Sequence, residues 1–412
     1  MTRSLFTLIL TVIFSSFIHS QSTTRTWVES HANAIRTIEP DSTDFSDLAP
    51  VGDAIGDVRF VMLGEQDHGD APTFLAKTRL IKYLHEVKGF NVLAFESDFF
   101  GLNQGWDLQD KKDVSLFVRR NVFPIWTGCN TCRNLFNTYI PATQSTAHPL
   151  QITGFDNQMI LTYSSYNLIH QLDSVIRALD LPVSHDPEYS TRILPVIDSL
   201  KFWYAVPPTD KTYFDRCGTL ARNIHDQLAA KAGPDNFWTM VAENIYKETL
   251  TFQKADDFRV TRNTRDEQMA LNLRWLAEHK YPGEKFIIWA ANSHVAKYAD
   301  SDGKKSLEAM GHFFTRDSNY LDQTYVLGFN SYSGTAGRLG YKDYDIQKPK
   351  KDGFENWIPS TLPFAFVDFR KMNFRKEYFL LKGFGHMSFK NNWAEVFDGV
   401  FFIREMYPCE KK

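Results

Sequence analysis

Cysteine is scarce in this chain: there are four among 412 residues, and only Cys129 and Cys132 lie close together, as a CxxC pair. A zinc site would need two further ligands at matching spacing, and the sequence contains neither a second CxxC nor an HxxxH. The surrounding "WTGCNTCRN" is typical of a loop, whereas a redox dithiol begins a helix after a strand. We therefore expect a short-range Cys129–Cys132 disulfide, with free thiols as the alternative.

The sequence also lacks the motifs of several enzyme classes. No GxSxG is present, so a serine nucleophile at a strand-to-helix turn is unsupported. Neither GxxxxGK[ST] nor GxGxxG follows an apolar run, which argues against phosphate-cradling and dinucleotide-binding folds. The net charge is only −3, with acidic and basic residues interspersed, so no nucleic-acid partner is indicated.

The longest hydrophobic run lies at the N-terminus. Arg3 precedes the apolar run Leu5–Phe17, and the polar stretch "HSQSTT" follows it. A run of about 13 residues is too short to span a bilayer, which needs about 20, but it fits the hydrophobic part of a secretory signal. We expect residues 1–20 to be a signal peptide cleaved near Ser20. Residues 21–412 then form one exported domain, periplasmic or secreted, without stable membrane insertion.

Short apolar runs alternate with amphipathic helices along the rest of the chain. Such runs predict strands at 58–63, 90–96, 149–156, 284–294 and 324–330, and a helix at 71–88 with Asp70 as its N-cap. This order predicts an α/β fold with a largely parallel central sheet flanked by helices. A long helical insertion, 157–282, separates the third and fourth strands and could act as a lid. Two β-rich runs, 363–369 and 377–384, are expected to extend the edge of the sheet.

Polar side chains follow every predicted strand. Because ligands bind outside the carboxyl ends of the strands in an open α/β sheet, these residues are candidates for one site: Glu65, His68, Glu96, Asp98, Asp156, Asn292, His294 and Asn330. Taken singly, Asp156 is as well explained as a helix cap, and His294 as a core histidine. The coincidence of Glu65, His68, Glu96 and His294 at one edge favours a functional site.

Histidine and carboxylate define the chemistry that such a site can perform. A carboxylate beside an imidazole raises the imidazole pKa and fixes its tautomer, which makes the imidazole a general base for water. A second histidine or a cation can stabilise the oxyanion formed by attack on a carbonyl. These residues therefore suit hydrolysis without a covalent intermediate and without a cofactor. The same two histidines and two glutamates could instead hold a divalent metal.

The sequence around these residues resembles the erythromycin esterase family. The resemblance is based on "LGEQDHGD…FLAKTRLIKYLHEVKGFNVLAFESDF", "GFD", "RDEQMALNLRWL" and "WAANSHVAK", in the family's order, over about residues 55–300. It implies an α/β fold with a deep cleft under helical segments. It also implies hydrolysis of an ester, in the best-known members the lactone ring of macrolide antibiotics. The family's histidine base falls on His68, its acidic partners on Glu65 and Glu96, and a later histidine on His294.

Three positions depart from the family pattern. The family's functional arginine on the first helix falls on Lys77, which keeps the charge but loses the bidentate fork. The first histidine of the family's A-H-N-x-H is Ala291 here. Asp67 is an additional carboxylate whose role the sequence does not explain. The first two departures point to a different substrate or a weaker catalyst.

Our leading hypothesis is a hydrolase that cleaves a small-molecule ester or lactone. His68 is the base, Glu65 and Glu96 orient it, and His294 and Lys77 support the oxyanion. Lys77, Asn292 and Asp98 are the expected substrate-binding residues. One alternative is a metal-dependent hydrolase with the same ligands, and the other is an exported protein that binds haem or another small ligand. The sequence defines no oligomeric state.

Overall fold

The computed structural model describes residues 23–297, 308–372 and 376–410. The strands of the main sheet are β1 (Asn33–Ile35), β2 (Phe60–Leu63), β3 (Val92–Asp98), β4 (Gln151–Asp156), β5 (Phe286–Trp289), β6 (Thr324–Ala336), β7 (Tyr344–Asp345), β8 (Phe364–Asp368) and, after two strands of a separate hairpin, β11 (Gly399–Met406). The hairpin consists of β9 (Phe379–Phe384) and β10 (Met387–Asn391). The predicted signal peptide lies outside the described residues. Within them, no helix is both long and apolar enough to cross a membrane.

Among the described residues, six longer helices accompany the strands: α1 (Ala71–Lys88), α2 (Val114–Asn121), α3 (Thr162–Ala178), α4 (Lys211–Ala232), α5 (Phe237–Gln253) and α6 (Phe258–Trp275). Residues 23–31 are also helical. Shorter helices lie at Ala49–Ile55, Trp106–Leu108, Pro124–Thr127, Ile140–Thr143, Leu194–Asp198, Asn292–Val295, Met310–Thr315, Ser318–Asp322 and Trp393–Val396.

The main sheet has the order β1-β8-β11-β6-β2-β5-β3-β4, and β7 pairs with the end of β6. The strands from β11 to β4 run parallel to one another, while β8 is antiparallel to both β1 and β11. The predicted fold class, a largely parallel sheet flanked by helices, is therefore confirmed. All five sequence-predicted strands belong to this sheet, which brings their carboxyl ends to one edge.

Both faces of the sheet are covered by helices, which explains why its strands are continuous apolar runs. In β2, Phe60 and Met62 belong to the hydrophobic cluster on one face, and Val61 and Leu63 to the cluster on the other. The first cluster includes buried side chains of α3 to α6, and the second includes those of α1. The helical segment between β4 and β5 thus covers one face, and its α6 lies next to the end of β4.

The C-terminal strands differ from the expectation in two respects. The run at 363–369 enters the sheet as β8, but the run at 377–384 does not extend its edge; it forms β9, which pairs with β10 in a separate hairpin. β11, which lies between β6 and β8, was not predicted from the sequence. Its neighbours are distant in sequence, so a local pattern cannot place it.

The expected Cys129–Cys132 disulfide is wrong. Cys129 pairs instead with Cys409, 280 residues away, with the two Cα atoms 5.6 Å apart. Two further contacts place the C-terminal segment beside the turn after β2: the N–H of Cys409 donates to the carbonyl of Gly69, and that of Ala71 donates to the carbonyl of Tyr407. The long-range pairing brings the chain end to the candidate site, which a spacing argument cannot foresee.

Removal of this disulfide should destabilise the protein, because the bond closes a long loop. We expect Cys409→Ser to lower the free energy of unfolding by about 2–4 kcal/mol, measured by urea denaturation under non-reducing conditions. Peptide mapping without reductant should recover a linked peptide pair that contains Cys129 and Cys409. A Cys129–Cys132 link would contradict the structure.

Candidate active site

The turn that follows β2 is built around a buried carboxylate. Glu65 is fully buried, and its Oε1 accepts hydrogen bonds from Nδ1 of His68 at 2.7 Å and from Nε1 of Trp126 at 2.9 Å. Its Oε2 forms an ion pair with Nζ of Lys77 at 2.8 Å. A buried carboxylate without partners would be costly, so these three donors hold the Glu65 side chain in one position.

His68 is oriented by this carboxylate. Because a carboxylate can only accept from the neutral imidazole, Nδ1 of His68 carries the proton and Nε2 is the basic nitrogen. Nε2 makes no hydrogen bond to any described residue, and the side chain is 17% exposed. Burial disfavours the charged ring, but the hydrogen bond and charge of Glu65, assisted by the charge of Glu96, outweigh it and raise the pKa of His68 above 6.5.

Glu96 lies at the end of β3 and connects two groups of side chains. Its carboxylate accepts from Nη2 of Arg265 at 2.9 Å and from the N–H of Ala291 at 3.2 Å, and lies 3.3 Å from Nε2 of His294. Burial opposes ionisation, but the charges of His294, Arg265 and His68 prevail and lower the pKa of Glu96 to about 2. Glu96 therefore interacts electrostatically with both histidines.

His294 is held by a carboxylate of its own. Its Nδ1 lies 2.5 Å from Oδ1 of Asp266, one turn along α6 from Arg262, and its Nε2 faces Glu96 and Arg265. The arrangement repeats the pairing of an imidazole with a carboxylate seen in His68 and Glu65. The predicted quartet of Glu65, His68, Glu96 and His294 is thus brought together at one edge of the sheet.

Arg265, which the sequence analysis left without a role, is at the centre of the second group. Nε and Nη2 bind both oxygens of Asp156 at 3.0 and 2.6 Å, Nη2 also binds Glu96, and Nη1 lies 3.4 Å from Nε2 of His294. A guanidinium has five N–H groups, and the contacts to Asp156 and Glu96 use the one on Nε and the two on Nη2. The signal that could have found it is the quoted block "RDEQMALNLRWL", which begins at this residue.

A cavity of ≈ 340 Å³ opens beside Arg265 and His294, whereas Glu65, His68 and Glu96 are not among the residues that line it. Its polar wall includes Arg265, His294, Arg262 and Gln158, and its apolar wall consists of aromatic side chains from the helical segment: Tyr204, Phe252 and Phe258. Phe258 is 69% exposed. An aromatic wall facing a polar wall suits a substrate with an apolar body and one reactive polar group.

The three predicted substrate-binding residues do not line this cavity. Lys77 is fully buried behind Glu65, with Nζ 4.0 Å from the centre of the Trp289 ring, so it supports Glu65 rather than an oxyanion. Burial prevails over the attraction of Glu65 and lowers the pKa of Lys77 to about 8. The helix register predicts that Lys77 lies near Glu65. It does not show whether the ammonium lies on the cleft side of the Glu65 carboxylate or behind it.

Asn292 and Asp98 are structural residues in this fold. Asn292 donates from Nδ2 to the carbonyls of Phe329 and Gly383 and accepts from the N–H of Phe329, which joins three segments. Asp98 accepts from the N–H groups of Gly101 and Leu161 and from the hydroxyl of Ser164. Both side chains are fully buried, and these partners leave them unable to reach a substrate.

The two aspartates of the turn have partners of their own. Asp67, unexplained by the sequence, pairs with Arg338 and accepts from Tyr344 and from the N–H of His68. Asp70 precedes α1 as predicted, but its side chain does not cap the helix. It accepts from the N–H of Asp67 and pairs with the buried His386 of the C-terminal hairpin at 3.0 Å.

The carboxylates of the site are matched with cations and N–H donors. Across residues 23–297, 308–372 and 376–410, no group of three or more His, Cys, Asp or Glu side chains is arranged to hold a metal ion. Glu65 contacts Lys77, and Glu96 contacts Arg265, where metal ligands would instead converge on one point.

Loss of the Lys77 ammonium should destabilise the fold, because it leaves the Glu65 carboxylate buried without its ion-pair partner. We expect Lys77→Met to lower the free energy of unfolding by about 3–5 kcal/mol, measured by urea denaturation. Adding Glu65→Gln should recover part of this loss, since the buried charge is then absent. Lys112→Met, at an 89% exposed side chain, should stay within about 0.5 kcal/mol of the wild type. A Lys77→Met protein as stable as that control would contradict this role.

Comparison with known proteins identifies the family of this chain. The sequence model of the family described as erythromycin esterase matches residues 85–406. YbfO of Bacillus subtilis (strain 168), provisionally described as a hydrolase, is 25% identical over 445 residues, covering 97% of this chain and 96% of YbfO. Erythromycin esterase type II of Escherichia coli is 23% identical over 430 residues, covering 93% of this chain and 98% of that protein.

The fold also resembles that of a mutant of the erythromycin esterase EreC solved in its open conformation. The TM-score is 0.67 at 18% identity, with 92% of this chain and 98% of that chain covered. The family match spans well over half of the chain and confirms the resemblance seen in the sequence. This chain therefore belongs to the erythromycin esterase family and is an esterase-like member of a hydrolase family.

Proposed function

We propose that this protein is an exported hydrolase that uses water activated by His68 to cleave a carboxylic ester or a lactone. The observation that supports this most directly is the His68–Glu65 pair, with Nδ1 fixed on a buried carboxylate and Nε2 unoccupied. A general base needs this combination of fixed tautomer and open basic nitrogen.

In the proposed reaction, Nε2 of His68 takes a proton from water as the oxygen attacks the carbonyl carbon. The resulting imidazolium is stabilised by Glu65 at 2.7 Å and by the charge of Glu96. Both carboxylates are already in place before reaction, so they need no reorganisation as the charge develops. Glu65 and Glu96 thus act on the base and do not touch the substrate.

The oxyanion would be stabilised by Arg265. Arg265 and His294 both line the cavity, and the contacts of Arg265 to Asp156 and Glu96 leave the N–H groups of Nη1 for the oxyanion. This assignment replaces Lys77, which the sequence had suggested for the role. Arg265 is held by Asp156 and Glu96 in one orientation, so its guanidinium is in place before the substrate arrives.

The comparisons support an ester as the substrate class, since erythromycin esterase type II and EreC are named for that activity. The disulfide between Cys129 and Cys409 supports export, because such bonds persist in oxidising compartments. Neither observation favours the haem-binding alternative. Each histidine also has a carboxylate partner, Glu65 for His68 and Asp266 for His294, which ligand binding does not require.

Removal of the base should abolish hydrolysis. We expect His68→Ala to reduce kcat on erythromycin and on 4-nitrophenyl butanoate by about 10²-fold or more. His148→Ala serves as the control and should retain the wild-type rate. His148 is exposed and precedes β4, so it lies at the amino end of the parallel strands, away from the candidate site.

The same assay separates the metal-dependent alternative. Dialysis against EDTA should leave the wild-type rate intact, because His68 and Arg265 perform the chemistry in this account. Turnover that survives in His68→Ala, or that disappears with chelator and returns with a divalent cation, would contradict the proposal.

A further inference from the structure

A buried acid lies behind the cavity wall and has no part in the reaction described so far. Glu248 of α5 is 3% exposed, and its Oε2 accepts from Nδ2 of Asn157 at 2.7 Å. Its Oε1 is hydrogen-bonded to the hydroxyl of Tyr204, which lines the cavity together with Arg265 and His294. The phenol of Tyr204 therefore connects Glu248 with the cavity.

The Tyr204 hydroxyl has a second partner that fixes its position. Nε2 of Gln158 donates to the Tyr204 oxygen at 2.7 Å. The ring packs edge-on against Phe252, with centroids 5.0 Å apart. The Tyr204 side chain is thus held on the cavity wall by the contact of its ring with Phe252 and by the hydrogen bonds of its oxygen with Gln158 and Glu248.

The protonation state of Glu248 decides where the Tyr204 proton points. Oε2 already accepts from Asn157, so a protonated Glu248 carries its hydrogen on Oε1 and donates it to the Tyr204 oxygen. With Gln158 also donating, both lone pairs of that oxygen are occupied, and its own hydrogen is free to point into the cavity. An ionised Glu248 would instead accept the Tyr204 hydrogen and withdraw it from the cavity.

Burial keeps the acid protonated at neutral pH. Burial and the charge of Asp156 raise the pKa of Glu248 to about 8, against the opposing effects of the Tyr204 hydrogen bond and Arg265. The Asp198–Lys201 ion pair lines the small cavity on the other side of Glu248 and is neutral overall. The phenolic hydrogen is therefore available below about pH 8.

We propose that Tyr204 is the general acid that protonates the departing alcohol, with Glu248 as the positioning residue that resupplies its proton. The inference rests on the proposed ester hydrolysis. As the bond between the carbonyl carbon and the alcohol oxygen breaks, that oxygen takes the hydrogen of Tyr204, and the Tyr204 oxygen takes the hydrogen from Oε1 of Glu248.

The proton balance closes without a further reactant. Water supplies its hydroxyl to the acyl carbon and its proton to His68, and the alcohol leaves with the proton of Tyr204. His68 then releases a proton to solvent, and Glu248 takes one back. The net reaction is ester plus water to acid plus alcohol.

Two esters of one acid distinguish this role from a structural one. Benzyl butanoate releases an alkoxide that must be protonated, whereas 4-nitrophenyl butanoate releases a phenolate that departs without a proton. We expect Tyr204→Phe, which keeps the ring packed against Phe252, to lower kcat by about 10²-fold on the benzyl ester and by a few-fold at most on the nitrophenyl ester. Tyr166→Phe, at a 75% exposed tyrosine outside the cavity, should keep the wild-type ratio of the two rates.

The pH profile tests Glu248. On benzyl butanoate, wild-type kcat should fall as pH rises through about 8, and Glu248→Gln should lose this decline together with most of the rate. In the Tyr204→Phe background, Glu248→Gln should add no further loss. Equal losses on both esters in Tyr204→Phe, or an unchanged basic limb in Glu248→Gln, would overturn the assignment while leaving His68-dependent hydrolysis intact. A wild-type protein that cleaves neither of these esters nor erythromycin would overturn both proposals.

Discussion

The burial of the Glu65 carboxylate is the constraint on which the site depends. A carboxylate with no exposure to solvent has to be matched by donors, and each donor comes from a different part of the chain: the turn itself, α1 and the segment before Cys129. The fold that buries Glu65 therefore also fixes His68. The disulfide to Cys409 and the pairing of Asp70 with His386 attach the C-terminal region to the same turn.

The second half of the site follows the same principle with the charges reversed. Arg265 is a cation surrounded by Asp156, Glu96 and His294, and it lines the cavity. Glu96 belongs to both groups of side chains, so His68 and His294 interact with the same negative charge. A histidine base and a fixed arginine are the two kinds of group that water attack on a carbonyl requires.

Local pattern was enough to predict the sheet and the edge at which the site lies. The strands near Leu63, Phe95 and Trp289 are short apolar runs in alternation with helices, a pattern that is local in sequence, and their carboxyl ends place Glu65, Glu96 and His294 at one edge. Partners distant in sequence could not be predicted in the same way. Cys409 is 280 residues from Cys129, and Arg265 reaches the edge of the sheet from a helix of the insertion. The position of Lys77 was also wrong, since the helix register gives the face of α1 on which Lys77 lies but not how deeply its side chain is buried.

The direct test of the account is the ionisation of His68, followed by NMR of ¹⁵N-histidine-labelled protein across pH 5 to 9. The account predicts that the His68 ring titrates above its usual 6.5 in the wild type, and that Glu65→Gln lowers this pKa because the charge and the acceptor are both lost. A wild-type pKa below 6.5, or one that Glu65→Gln leaves unchanged, would contradict the claim that Glu65 prepares His68 as the base.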